Sequence, residues 1–273
     1  MEWSKLKNII LIILTAVNLF LLLLVLQKKW ENYQFSHSAR EDAVAILQET
    51  GHISLDAALL PKEMELAPMV VSPDAGLEEK QASALLGASV QKSGPMRYAG
   101  EKGSAQFYLN GEYSATFLPE SWPLNGEDPG AFVLQLLRGM GMEAEVLSIS
   151  GEENADVTVR QEWGGVPIFN CTAVLSVEEG ELRAIRSSVS HRLVGEPKPL
   201  GSESPRKLTT LLLDFLDYVM KNGRVCGEIT GFTAGYQLDT QQESTRLIPT
   251  WYVTTDQGAY YWNAMTGEIT PEK

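Results

Sequence analysis

From Ile9 to Leu26 the chain runs for eighteen residues without a charge, and only Thr15 and Asn18 in that run are polar. As a helix the stretch is roughly 27 Å long, close to the hydrocarbon thickness of a bilayer. The expectation is a transmembrane helix over 9–27 behind a short 1–8 segment. A cleaved secretory signal has a shorter apolar core, about 7–15 residues, and a small-x-small cleavage site. Here the run is followed by Gln27-Lys28-Lys29-Trp30-Glu31, which holds no such site, so an uncleaved anchor is expected. Trp3 and Trp30 flank it, where indole rings prefer the headgroup level. Lys5 and Lys7 nearly balance Lys28, Lys29 and Arg40 across the run, so positive charge alone leaves the orientation open. A carboxamide in hydrocarbon gains from a partner, which makes Thr15 and Asn18 candidate contacts to a second membrane helix. The other reading is one asparagine tolerated near the midplane, and the run has no G-x-x-x-G to support tight dimer packing.

Four lysines against Glu2 make the first thirty residues basic, so the excess of acid behind the net charge of −13 lies wholly beyond them. A surface that acidic repels phosphate, which argues against nucleic acid as a partner. An apolar fraction of 44% is enough to bury a core, so the remainder is not a disordered tail. Two cysteines rule out a disulfide-dense scaffold and a cysteine-based zinc ribbon.

Beyond the apolar run, a helix is expected from Ser36 to Gly51, either separate or continuing the first through 27–35 as a stalk. Residues 76–87 read as helix, and 61–75, with Pro61, Pro68 and Pro73, as loop. Asn110-Gly111 between two apolar runs predicts a hairpin closed by a type I′ turn. Two similar units follow. In the first, Asp128 caps, Pro129 opens a helix closed by Gly141, and strands fall near 144–149, 155–163, 166–177 and 181–190. In the second, Ser204 caps, Pro205 opens a helix ending near Gly223, and strands fall near 225–238, 246–255 and 259–264. The fold class is therefore α+β, an anchor followed by tandem helix-on-antiparallel-sheet modules, with expected divisions 28–126, 127–195 and 196–273. Val194 to Ser204 is the expected interdomain linker.

Signals for catalysis are sparse. His37, His52 and His191 have no metal-binding spacing, and no H-E-x-x-H or C-x-x-C occurs. Ser89-Val90-Gln91-Lys92 matches S-x-x-K, but the S-D-N and K-T-G strings that complete such a site are absent. Neither a metal nor a cofactor is expected. Asn170-Cys171-Thr172 is a glycosylation string only in a eukaryotic secretory pathway. Cys171 and Cys226, one per unit, are either two buried thiols or a staple between the units. Glu152-Glu153 and Glu178-Glu179 sit beside glycines and read as solvated turns. Trp251, Tyr252, Tyr260, Tyr261 and Trp262 lie on two consecutive strands. Alternation sends Trp251 and Val253 to one face and Tyr252 to the other. One aromatic row, with Tyr252 and Tyr261, is left as a candidate partner surface.

Two ends of the chain carry a resemblance. Met1-Glu2-Trp3-Ser4-Lys5-Leu6-Lys7, with Asn18-Leu19-Phe20-Leu21 in the apolar run, resembles the start of the YycI (WalI) family. Leu247-Ile248-Pro249-Thr250-Trp251-Tyr252-Val253, the segment Tyr260 to Ile269, and Gly235-Tyr236 are similar to the family's C-terminal strands. Pieces of these motifs also occur in the related YycH proteins and in PepSY-like modules, and residues 52–105 match least. The resemblance implies a single-pass cell-membrane protein with its N-terminus in the cytoplasm and an extracytoplasmic α+β body. It implies action, together with YycH, on the sensor histidine kinase WalK (YycG), which controls cell-wall metabolism in Gram-positive bacteria. It supplies no catalytic residues, so a non-enzymatic regulator is expected. The runner-up is a PepSY-like extracytoplasmic module that binds or inhibits a peptidase or captures an envelope peptide. An envelope hydrolase is the third class.

Overall fold

A computed structural model describes residues 2–151, 154–186, 190–201, 203–241 and 244–272, with the side chains of 2–12, 29–37, 75, 241 and 244 outside the description. Trp3, Trp30, His37, Glu152 and Glu153 therefore lie outside the described side chains or residues.

Helix α1 is a single element, Glu2–Gly51, of 50 residues. At 1.5 Å per residue it is a rod of roughly 75 Å. The segment from Ser36 is thus the continuation of the first helix. The left-handed position that ends α1 falls on His52, φ 54°, and the Ile53 N–H returns to the Leu47 carbonyl at 3.1 Å. Gly51 serves a different need from the expected cap: a Cβ there would collide with the Leu216 side chain. Strand β1 (Ser54–Leu55) and a 3-10 turn (Ala57–Leu59) follow, then β2 (Met69–Val71) inside the expected loop.

The body then repeats one unit three times, a helix followed by a four-stranded antiparallel meander. The first is α2 (Ala75–Leu86) with β3 (Gln91–Gly94), β4 (Arg97–Gly100), β5 (Gly103–Phe107) and β6 (Tyr113–Phe117). The second is α3 (Pro129–Gly139) with β7 (Glu143–Ser150), β8 (Asn154–Trp163), β9 (Val166–Glu178) and β10 (Glu181–Ile185). After β11 (Pro197–Pro199) comes the third, α4 (Leu208–Lys221) with β12 (Glu228–Gln241), β13 (Ser244–Thr255), β14 (Gly258–Asn263) and β15 (Ile269–Pro271). The fold is α+β, with one more copy of the unit than the sequence pattern exposes.

Turn chemistry sets the meanders. Between the strands of the meanders, Gly164-Gly165, at 58° and 73°, and Glu179-Gly180, at 53° and 76°, are two-residue turns with both φ values positive. Both are type I′, the twist that matches paired strands. Asn110-Gly111 differs from expectation. Only Gly111 is left-handed, at 89°, and its N–H donates to the Tyr108 carbonyl at 3.1 Å, a type I turn with a glycine bulge. The Arg192 carbonyl, 2.6 Å from where a Cβ would stand, requires glycine there.

Pairing of β6 with β10 (Thr116 with Ala184, Ala115 with Ile185) fuses the first two meanders into one antiparallel sheet. Helices α2 and α3 cover it through Leu85, Leu86, Val133 and Leu137, packed over Phe107, Tyr113, Val157 and Leu175. The expected division at 126/127 cuts through this one core. The third meander joins through a parallel pair, Ile168 with Tyr236, and its core under α4 is completed by Ala43 and Leu47 of α1. The expected linker is part of the sheet. Val194 is buried, and β11 pairs with β2, which pairs with β13. Pro197 and Pro199 are tolerated because β11 is an edge strand, where a missing N–H costs nothing.

Helix starts differ in kind. Asp128 caps α3, its carboxylate accepting from the Ala131 N–H at 2.9 Å, and Pro129 takes the first turn as expected. Helix α4 begins three residues later than Pro205, at Leu208, with no capping side chain from its own flank. Its first N–H is satisfied by Glu63, whose Oε2 lies 3.0 Å from the Leu208 nitrogen.

Candidate functional site

The described part of the apolar run presents an exposed cylinder. Every described side chain from 13 to 28 is exposed, and the large apolar ones from Ile13 to Leu26 are each 47–62% open. Apolar residues all round a helix, rather than on one stripe, need an apolar surrounding. Among the described residues no helix is long and apolar enough to cross a membrane, and the described side chains of this cylinder cover 13–28. Thr15 and Asn18, three residues apart on one side of the helix, are both exposed.

At its other end α1 is fixed to the body. Ala43 and Leu47 are buried against α4, and the Arg40 guanidinium donates to the Leu60 carbonyl at 3.0 Å and to the Pro61 carbonyl. The apolar segment and the residues buried in the third core thus belong to one uninterrupted helix.

The aromatic row on the C-terminal hairpin is covered by the chain itself. Tyr252 and Tyr261 are cross-strand partners with ring centroids 5.3 Å apart, and Phe169 of β9 packs 5.5 Å and 5.6 Å from them. Both phenols donate to Glu272, at 2.7 Å and 3.0 Å. Burial first, then the Glu272 carboxylate, push the Tyr252 phenol up to about 12 and raise Tyr261 further above its ordinary value. The row expected as a partner surface is thus half-buried. On the opposite face Trp251, Val253, Tyr260 and Trp262 meet α4, with Phe215 stacked 4.8 Å from Trp262.

The two thiols are free and buried in different cores, so the staple left open by the sequence is not formed. Cys171 donates to Gln161 Oε1 at 3.2 Å, and burial pushes it up to about 12; Cys226, raised by burial and by Asp256, lies near 11. Neither is poised as a nucleophile. Ser89 and Lys92 are exposed without a hydrogen bond between them, His52 caps α1, and among the described residues no three acidic, histidine or cysteine side chains converge on a metal position.

Sequence reasoning missed a buried polar cluster. Arg192 is 0% exposed, 3.6 Å from Glu78 on α2, and its guanidinium lies over the Phe107 ring at 4.7 Å. Its Nη1 donates to the Leu193 carbonyl, while Nε and Nη2 have no hydrogen-bond partner among the described residues. Burial lowers its affinity for the proton, and Glu78 opposes that. Gln161 Oε1 accepts from the Leu193 N–H at 3.0 Å as well as from Cys171. Together these groups lock 190–195 between α2 and β8. No local motif announces them, because the charge and its partner lie on segments far apart in the chain.

No family model matches the sequence, and no curated protein matches it. Among solved structures, an uncharacterized protein from Eubacterium rectale ATCC 33656 is similar, with a TM-score of 0.39 and 10% identity over 81% of this chain and 90% of that one.

Proposed function

We propose that the protein is a non-enzymatic regulatory subunit of a membrane sensor histidine kinase of the WalK (YycG) type, acting with a YycH-like protein in control of cell-wall metabolism. The anchor crosses the cell membrane once with its N-terminus in the cytoplasm, and the α+β body lies outside. The observation that carries this reading is the continuity of α1, from an all-round apolar cylinder to Leu47 inside the body's core. A ligand or partner that favours one posture of the body changes the helix presented to the kinase, and differential affinity of about 1.4 kcal/mol shifts a two-state population tenfold. Thr15 and Asn18 are the polar contacts offered to the kinase's membrane helix.

Replacement of residues 9–26 by an unrelated apolar helix tests this. The expected result is loss of kinase co-purification and altered kinase autophosphorylation, with the chain still in the membrane. Unchanged output and co-purification would remove the membrane contact. Asn18→Leu alone is expected to weaken the association roughly threefold to twentyfold, the range of interhelical hydrogen bonds in membranes.

The threefold helix-on-meander body also supports a second reading, a PepSY-like module that holds an envelope peptide or inhibits a peptidase. A stable peptidase complex without any kinase in the same pull-down would favour it.

A further inference from the structure

A recess of about 300 Å³ opens where the start of α2, the open ends of β7 and β8, and residues 193–196 converge. Gln81 and Leu193 line its interior, Met142 and Trp163 form an apolar wall, and Glu143, Glu162 and Glu196 stand around it. Two features of this recess run against stability. Gln81 is 2% exposed, yet among the described residues its Oε1 accepts no hydrogen bond, which leaves the desolvation cost of that oxygen unrelieved. Glu143 and Glu162 face each other directly across β7 and β8, and like charges in such a pair repel.

The same two strands show what a complemented pair looks like. Two residues along, Glu145 faces Arg160 and binds it at 2.7 Å. No described cation or hydrogen-bond donor engages the side chains of Glu143, Glu162 or Glu196. Arg160 is held by Glu145, and the buried Arg192 lies beside Glu78. A positive charge, a hydrogen-bond donor and an apolar stem are what this surface lacks.

We propose that the recess binds an alkylammonium or guanidinium group on an apolar stem, either a lysine or arginine side chain of a partner polypeptide or a free diamine. The cation sits between the Glu143 and Glu162 carboxylates. The stem lies along Met142, with the charge within reach of the Trp163 ring face, where cation–π attraction adds to the ion pair. An N–H of the ligand reaches Gln81 Oε1. The net charge of −13 draws such cations toward the body from a distance at low ionic strength.

The test is calorimetric titration of the full chain in neutral detergent at low salt. The probes are acetyl-Ala-Lys-Ala-amide, 1,5-diaminopentane, and an acetyl-Ala-norleucine-Ala-amide control. The proposal expects saturable binding of at least one amine and none of the norleucine peptide. Tighter binding of the lysyl peptide identifies a side-chain ligand, and tighter binding of the diamine a free amine. The double variant Glu143→Gln/Glu162→Gln is expected to weaken binding about tenfold or more while raising the unliganded Tm, because repulsion is relieved. Gln81→Leu is expected to do the same on a smaller scale, a pairing of weaker binding with greater stability that misfolding cannot imitate. Absence of saturable amine binding, equal binding of the norleucine peptide, or binding unchanged in the double variant would overturn the proposal. The last result would assign the attraction to the acidic surface as a whole.

Discussion

Glu63 Oε2 accepts the Leu208 N–H at 3.0 Å, so a carboxylate from the loop after α1 caps α4 across 145 positions of sequence. The carboxylate also complements the positive end of the helix. The 61–68 loop and the third unit are thereby one structure, although the chain between them builds two other meanders.

Removing this cap has a defined cost. Glu63→Ala is expected to destabilise the folded chain by about 1 kcal/mol, the usual worth of a helix N-cap. Glu63→Gln, which keeps the acceptor, should recover part of it. Urea midpoints of the three proteins check this, and equal midpoints for Ala and wild type would show the contact contributes nothing.

The ion pair under α2 is far more sensitive to one-sided change. Glu78→Gln leaves the guanidinium of Arg192 buried without its counter-charge and is expected to cost about 3–5 kcal/mol. Replacing both partners, as Glu78→Leu/Arg192→Met, removes the buried charge as well and should be much milder. Thermal unfolding of the single and double variants decides the point; a double variant as unstable as the single one would contradict it.

Alkaline pH acts on the aromatic row. Tyr252 and Tyr261 hold their protons more tightly folded than unfolded, where a tyrosine titrates near 10. The folded state thus binds more protons above that pH. Their contribution is complete below pH about 10 and is lost as pH rises toward about 12, the folded value of Tyr252. Tyr252→Phe/Tyr261→Phe is expected to flatten this decline in denaturant titrations between those limits. An unchanged slope would mean that the Glu272 contacts do not govern it.

Thiol labelling reports on the cores. Cys171 and Cys226, both buried and with thiols raised to about 12 and about 11, are expected to resist a soluble disulfide reagent at pH 7–8. Both should react promptly in denaturant. Recovery of a disulfide between them, or prompt native labelling of Cys171, would contradict the burial.

The sequence exposed those elements whose signals are local. Asp128-Pro129 marks the start of α3 because cap and first turn are adjacent, and the long alternating strands of the second and third meanders announce themselves by period. In the first meander only the hairpin about Asn110-Gly111 is announced; β3 and β4 escape because each is four residues long and β3, Gln91 to Gly94, is entirely polar or small. Strands β2 and β11 escaped because flanking and internal prolines read as loop, which is also what an edge strand tolerates. Ser204-Pro205 has the pattern of a helix start, whereas the cap that α4 uses, Glu63, is remote in sequence. Alternation separates Tyr252 from Trp251 and Val253, but the cover that Phe169 and Glu272 give Tyr252 and Tyr261 comes from other segments and has no local signal. The recess at Gln81 has no sequence signature at all, since four separated stretches build it.

Photo-crosslinking in native membranes, with the reactive group placed in turn at each position from 13 to 26, tests directly whether α1 touches the kinase. Adducts with the kinase's membrane helix are expected to recur every three to four residues and to include position 18. A chain recovered in the soluble fraction, or kinase adducts absent at every position, would contradict it.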